Sequence, residues 1–375
     1  MKDSNIEKHY NKNLSRSMRM KVWLDILTPK QLFYFTSIAK ILKKAGWEVF
    51  LSARRYDELD NLIREFFRDW EIEIVGRFGG YSLDEKLKAS IERLGLLINS
   101  VPLKEIELVA SSGSIEACRI AYGLQIPHIL ASDSPHSPVN PLTAPISKLV
   151  ITPWIIDRSE WTKYGVKSSK IKKYRVLDPC FWLKDFKPDK TILENLGVDS
   201  EYVLIRLPES AASYLRIDDN EYVKMITRLL DVARRHEFKV LVMARYREQI
   251  EVVENILKNK NAILIDKPVI GSNIIYYSKV FVGGGGTMTQ EAALLGRPCI
   301  SIYPGQQPSI HNFLSRIGLI RHCSKIEDSF KLLERFLKDI DRVSKTVYEK
   351  SRRFWKAMED PEEKILRWFK EAVSK

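Results

Sequence analysis

The chain has 375 residues, 45% hydrophobic and 29% charged, which is the composition of a globular protein with length for two full cores. No apolar run reaches the length of a membrane span and no signal peptide is read at the start, so a transmembrane or exported protein is not expected. The net charge is +13, from 61 Lys and Arg against 48 Asp and Glu. The basic residues are dispersed and carry no nucleic-acid fold signature, so nucleic acid is not the expected partner. Anionic membrane or a lipid phosphate fits the charge better, and an ordinary Lys-rich surface laced with charge pairs fits it equally well. Cys118, Cys180, Cys299 and Cys323 stand far apart with no C-x-x-C pair, which implies neither zinc nor a disulfide framework and favours a reducing cytoplasm.

Residues 1–19 are polar and mixed in charge and read as a disordered leader. Val22–Ile26 is the first strand, and Leu32–Ala45 is helical, with Leu32, Phe35, Ile38, Ala39 and Leu42 on one face. Strands follow at 47–53, 72–75, 106–110, 126–130 and 148–152, with helices at 56–70, 83–99 and 115–122 between them. Tyr174–Leu177 reads as a further short strand. Asp178-Pro179-Cys180-Phe181-Trp182 looks like an interdomain crossing. It divides the chain into an N-terminal domain, 20–183, and a C-terminal domain, 184–345, with helices at 346–375 that pack back on the first.

The second half repeats the alternation, with strands at 202–207, 239–244 and 262–265 and helices at 218–235, 249–258 and 273–278. It reaches its most informative stretch at 279–303. Val280-Phe281-Val282 ends a buried strand, and Gly283, Gly284, Gly285 and Gly286 let the backbone turn and let a ligand approach closely. Thr287 or Thr289 is the expected cap of the helix that follows, which Gly296 ends. A helix N-terminus aimed at a glycine turn is an anion site. Glu291, one turn in, is placed to accept hydrogen bonds from sugar hydroxyls. Strands alternating with helices throughout give an α/β protein of two Rossmann-like parallel-sheet domains facing a cleft, its last amphipathic helix (Ile365, Leu366, Phe369, Val373) crossing back.

Ligands of such sheets bind at the carboxyl ends of strands. On the N-terminal side those ends carry Asp25, the loop of Lys30 and Gln31, the turn of Ser112 and Ser114, and the loop of Asp133 and His136. Asp133, His136 and Asp25 are the available bases, although Asp133 also suits an Asx turn and Asp25 could anchor its own loop. On the C-terminal side Arg206 and Arg245 end strands and offer forked donors to phosphate, and Ser210 could donate to it as well.

These residues resemble known families. The architecture is similar to the GT-B fold, and the 283–296 stretch is similar to the nucleotide-sugar site of two groups. They are the N-acetylglucosaminyltransferase that completes lipid II and the non-hydrolysing UDP-N-acetylglucosamine 2-epimerases. That resemblance implies that Gly284, Gly285, Gly286 and Thr287 hold a diphosphate and Glu291 the uridine ribose. Trp23-Leu24-Asp25, Ala110-Ser111-Ser112-Gly113-Ser114, Asp133-Ser134-Pro135-His136 and Gly284-Gly285-Gly286-Thr287-Met288 look like a prokaryotic family catalogued as a domain of unknown function (number 354), over about residues 20–345. The epimerase His-x-Glu segment is not reproduced at Asp133–His136. The transferase's first glycine-rich turn is replaced by Thr28-Pro29-Lys30-Gln31, so Lys30, Gln31, Ser112 and Ser114 would have to hold an acceptor pyrophosphate.

The implied activity is transfer of a sugar from a nucleotide, UDP-linked by the resemblance, to a polyprenyl-phosphate-type acceptor at the cytoplasmic face of a membrane. Epimerisation of a nucleotide sugar and non-catalytic nucleotide-sugar binding are the alternatives. In such a transfer helix N-termini and Arg or Lys stabilise the leaving diphosphate, so no metal and no cofactor beyond the nucleotide-sugar substrate is expected.

Overall fold

The computed structural model describes residues 20–80, 82–207, 219–244, 253–254, 257, 262–303 and 307–374. The expected leader, the loop with Ser210, the position of Arg245 and most of the 249–258 helix lie outside them.

The chain folds into two parallel sheets. The first has the order β3-β2-β1-β4-β5-β6-β7, and the second β10-β9-β8-β11-β12-β13. The central strands of the first sheet are β1 (Lys21–Ile26), β4 (Leu108–Ser111), β5 (His128–Ala131) and β6 (Leu149–Pro153), with β2 (Glu48–Arg55), β3 (Ile72–Arg77) and β7 (Ile171–Tyr174) outside them. The second sheet is built from β8 (Tyr202–Arg206), β9 (Lys239–Met243), β10 (Ala262–Ile265), β11 (Val280–Gly283), β12 (Cys299–Ser301) and β13 (Arg321–His322). The central strands are short, nearly all apolar and buried along their length, because helices cover both faces. Strand order reverses between β1 and β4 and again between β8 and β11, and ligand crevices open at such switch points.

β7 lies upstream of the expected 174–177 strand. Ile171 and Tyr174 are buried while Lys172 and Lys173 stay half-exposed, the pattern of an edge strand. Val176 and Leu177 bury themselves in the turn into the crossing instead.

After the crossing and the second sheet, two long helices return. Helix Ile340–Lys356 packs on helix Thr287–Leu294. From it the Ser351 hydroxyl and the Trp355 indole both donate to the Leu294 carbonyl, at 2.6 and 2.9 Å, and so cap the end of that helix. Helix Glu362–Val373 packs on helix Pro29–Lys44 and on β4 and β5. It buries Ile365, Trp368, Phe369 and Ala372. Each large side chain contributes about 1.5–3 kcal/mol, which is enough to hold the tail on the first lobe. No helix among the described residues is long and apolar enough to cross a membrane.

Candidate functional site at the carboxyl ends of both sheets

On the C-terminal lobe the glycine turn follows β11. Gly285 has φ +99°, and a Cβ there would lie 2.5 Å from the Tyr303 ring. The helix Thr287–Leu294 begins directly after Gly286, which is its N-cap at φ 81°, ψ −166°. That backbone is open only to glycine, and it displaces the expected threonine cap: neither Thr287 nor Thr289 caps the helix, and Thr289 is fully buried. The free N–H groups of the first turn therefore remain for a ligand. Parallel pairing sets Arg206 opposite Gly283, and its guanidinium donates to the Ala244 carbonyl at 2.6 Å.

His311, unremarked in the sequence, completes this half. Its Nε2 lies 3.3 Å from the Gly286 carbonyl, so that nitrogen donates and pins the turn. Burial lowers the imidazole pKa, opposed by the Gly286 bond and by the charge of Asp133 from the other lobe.

Glu291 is buried. Its Oε1 accepts from the Trp182 indole at 2.7 Å and from the Ser272 hydroxyl at 3.2 Å. Burial pushes its pKa up to about 7, although both donors pull it down. Beside it opens a cavity of about 270 Å³ lined in part by Phe33, Phe181, Trp182, Ile270 and Ser272.

On the N-terminal lobe Lys30, from the first turn after β1, forms ion pairs with Asp133, after β5, and with Asp178, after β7, the latter at 2.8 Å. The Tyr174 hydroxyl donates to Asp178 at 2.5 Å, and the Ser134 hydroxyl to Asp133 at 2.9 Å. Burial alone would lower the Lys30 pKa, but the two carboxylates outweigh it and hold the amine cationic. Burial also raises both acids. For Asp133 the Lys30 charge wins and the pKa falls; for Asp178 burial and the neighbouring Asp133 win and it rises. The cluster thus sets two buried carboxyls, their pKa values displaced in opposite directions, around one lysine.

The remaining predicted residues separate. Asp25 is not an accessible base. It is wholly buried, clamped by Arg93 at 2.6 and 3.0 Å, with the Ser52 hydroxyl donating at 2.5 Å. Its carboxylate ties β1 to β2 and to helix Leu83–Ser100. Ser114 does not face a ligand either: it is buried, caps helix Ile115–Gly123 by accepting from the Ala117 amide at 3.2 Å, and lies 3.5 Å from Arg93. Gln31 is committed to the backbone, accepting from the Leu27 amide at 2.8 Å and donating to the Ser112 carbonyl at 3.1 Å. Lys30 is held by carboxylates rather than left free for a phosphate. Ser112 is half-buried and His136 is exposed. The His136 loop is pinned by the Tyr164 hydroxyl, which donates to the Pro135 carbonyl at 2.7 Å, and by the Asn140 amide, which donates to the Ser134 and Pro135 carbonyls at 3.0 and 2.9 Å.

Asp178, Tyr174, Trp182, Ser272, His311 and Arg93 were not singled out by sequence. Asp178 alone had a readable signal, since it follows a strand just as Asp133 does.

Two Rossmann-like lobes, with a glycine turn on one and a charged cluster on the other, place the protein in the GT-B architecture. The chain belongs to the family described as "Protein of unknown function (DUF354)", which matches residues 20–360. Over 322 residues it is 26% identical to the uncharacterized protein MJ0665 of Methanocaldococcus jannaschii, covering 84% of this chain and 92% of that protein. In fold it is similar to the M. jannaschii UDP-GlcNAc 2-epimerase solved with UDP-GlcNAc and UDP (TM-score 0.68, 17% identity, 85% of this chain and 93% of that one). It is likewise similar to the Neisseria meningitidis UDP-GlcNAc 2-epimerase bound to UDP-GlcNAc (0.65, 14%, 94% and 99%). The spinosyn forosaminyltransferase SpnP matches at TM-score 0.60 and 15% identity, over 95% of this chain and 100% of that one.

Proposed function

We propose that the protein binds a UDP-linked sugar and transfers the sugar to a lipid-phosphate acceptor presented at the cytoplasmic face of a membrane. The observation that carries this reading is the meeting of two half-sites. His311 holds the Gly286 carbonyl of the glycine turn and stands near enough to Asp133 to feel its charge. In this reading the amides of Gly284, Gly285, Gly286 and Thr287, with Arg206, hold the diphosphate. Glu291 takes the ribose hydroxyls, and the aromatic cavity beside it takes the base. Asp133, kept ionised by Lys30, removes the acceptor hydroxyl proton as the sugar–phosphate bond breaks. The departing diphosphate is stabilised by the helix N-terminus. Half-buried Ser112 is the hydroxyl left to an acceptor phosphate, and exposed His136 lies on the same loop as Asp133.

One observation favours a second reading, epimerisation of the nucleotide sugar. Asp133 and Asp178 both reach Lys30, which sets two carboxyls side by side where a ring proton could be removed and returned. The test is to incubate purified protein with UDP-N-acetylglucosamine, with and without membrane lipid extract, following UDP release and sugar identity. Lipid-dependent release supports transfer. A changed sugar without release supports the epimerase. Binding without either would leave a non-catalytic nucleotide-sugar protein, and no binding would overturn every version.

A further inference from the structure

We propose that the outer face of helix Leu83–Ser100 is a docking surface for a second copy of this chain. The helix already buries one face through Ala89, Arg93 and Leu97. A second apolar stripe runs beside it. Leu83, Leu87, Ile91 and Ile98 are 84%, 62%, 64% and 53% exposed, with half-buried Leu94 among them. From Leu87 to Ile98 the steps are four, three and four residues, the spacing with which one helix meets another along a seam. The four exposed side chains amount to several hundred Å² of apolar surface, about the limit for a monomer. With their flanks they approach the roughly 800 Å² per partner of a standard interface.

Gly95 is an independent observation. It sits one turn after Ile91, inside the helix, and no atom lies within 4 Å of where its Cβ would be. Glycine is the poorest helix former after proline, and nothing in this chain requires it there. A second helix backbone approaching beside Ile91 would. Charge selects the occupant. Lys88 is paired with Asp84 and Glu85 at 3.3 and 2.9 Å, and Glu92 with Arg77 at 3.4 Å. Despite the +13 of the whole chain, Asp84, Glu85 and Glu92 on this helix are balanced by Lys86, Lys88 and the neighbouring Arg77. This face lacks the basic halo that draws a helix onto anionic lipid, and two such faces do not repel each other.

The test is sedimentation velocity on the full chain at micromolar concentration, with two variants. Wild type should sediment as a dimer. Leu87→Lys with Ile91→Lys should raise the dimer dissociation constant at least about 100-fold with unchanged far-UV circular dichroism. Gly95→Leu improves helix propensity while blocking close approach, so it should weaken the dimer with unchanged far-UV circular dichroism. A monomeric wild type, or a dimer untouched by either variant, overturns the proposal. So does stripe-dependent flotation of a monomer on phosphatidylglycerol vesicles, which would give the surface to a membrane.

Discussion

Replacing Glu291 with Gln tests the electrostatics of the nucleotide half-site. Burial moves its pKa from the ordinary 4.5 to about 7, so the folded protein favours the protonated form. The displacement is worth about 3 kcal/mol. Its sign is fixed: the stabilisation is complete below pH 4.5, declines as pH rises, and is gone once pH has passed through about 7. Glutamine has the shape of the neutral acid and does not titrate. The stability of Glu291→Gln relative to wild type should therefore rise by about 3 kcal/mol between pH 5 and pH 8. Urea unfolding at both pH values measures it, and other titrating groups cancel in the difference. A difference that stays flat across that range would refute the assignment. A second readout concerns the ligand. Ribose hydroxyls donating to Glu291 favour its ionised form, so UDP binding near pH 6 should release a proton in wild type and none in the glutamine variant. Calorimetry in two buffers of unlike ionisation enthalpy counts it.

Arg93→Met strands Asp25 in the core and should destabilise the protein by about 3–5 kcal/mol, read by urea unfolding; a loss under 1 kcal/mol would mean that Ser52 and the backbone suffice. Gly285→Ala puts a Cβ 2.5 Å from Tyr303 at a φ of +99°, and should lower UDP affinity at least about tenfold. Unchanged titration calorimetry would separate the turn from the ligand. Asp133→Asn should abolish turnover while leaving UDP affinity within about twofold; retained activity would remove Asp133 from the chemistry.

The fold was legible because strand and helix periods alternate along the chain and the cores are filled locally. The 280–291 stretch was legible for the same reason: strand, turn and helix are consecutive residues. The threonine cap failed because a glycine conformation at Gly286 starts the helix first. The N-terminal half-site was only partly readable. Asp133 announced itself in a proline-punctuated loop, but nothing local says that Lys30 is shared with Asp178. Asp25 looked like a base because a carboxylate at a strand end usually meets the cleft. Only the fold brings in Arg93, from a helix whose periodicity shows that it is amphipathic but not that a second apolar stripe stays uncovered.

The crossing between the lobes has a consequence of its own. Within five residues, Asp178 grips Lys30 in one lobe and Trp182 donates to Glu291 in the other. A segment this short, anchored at both ends, cannot let one lobe turn against the other unless the Lys30 ion pair, the Trp182 bond or the backbone between them gives way, so the crossing is where the angle between the lobes is set.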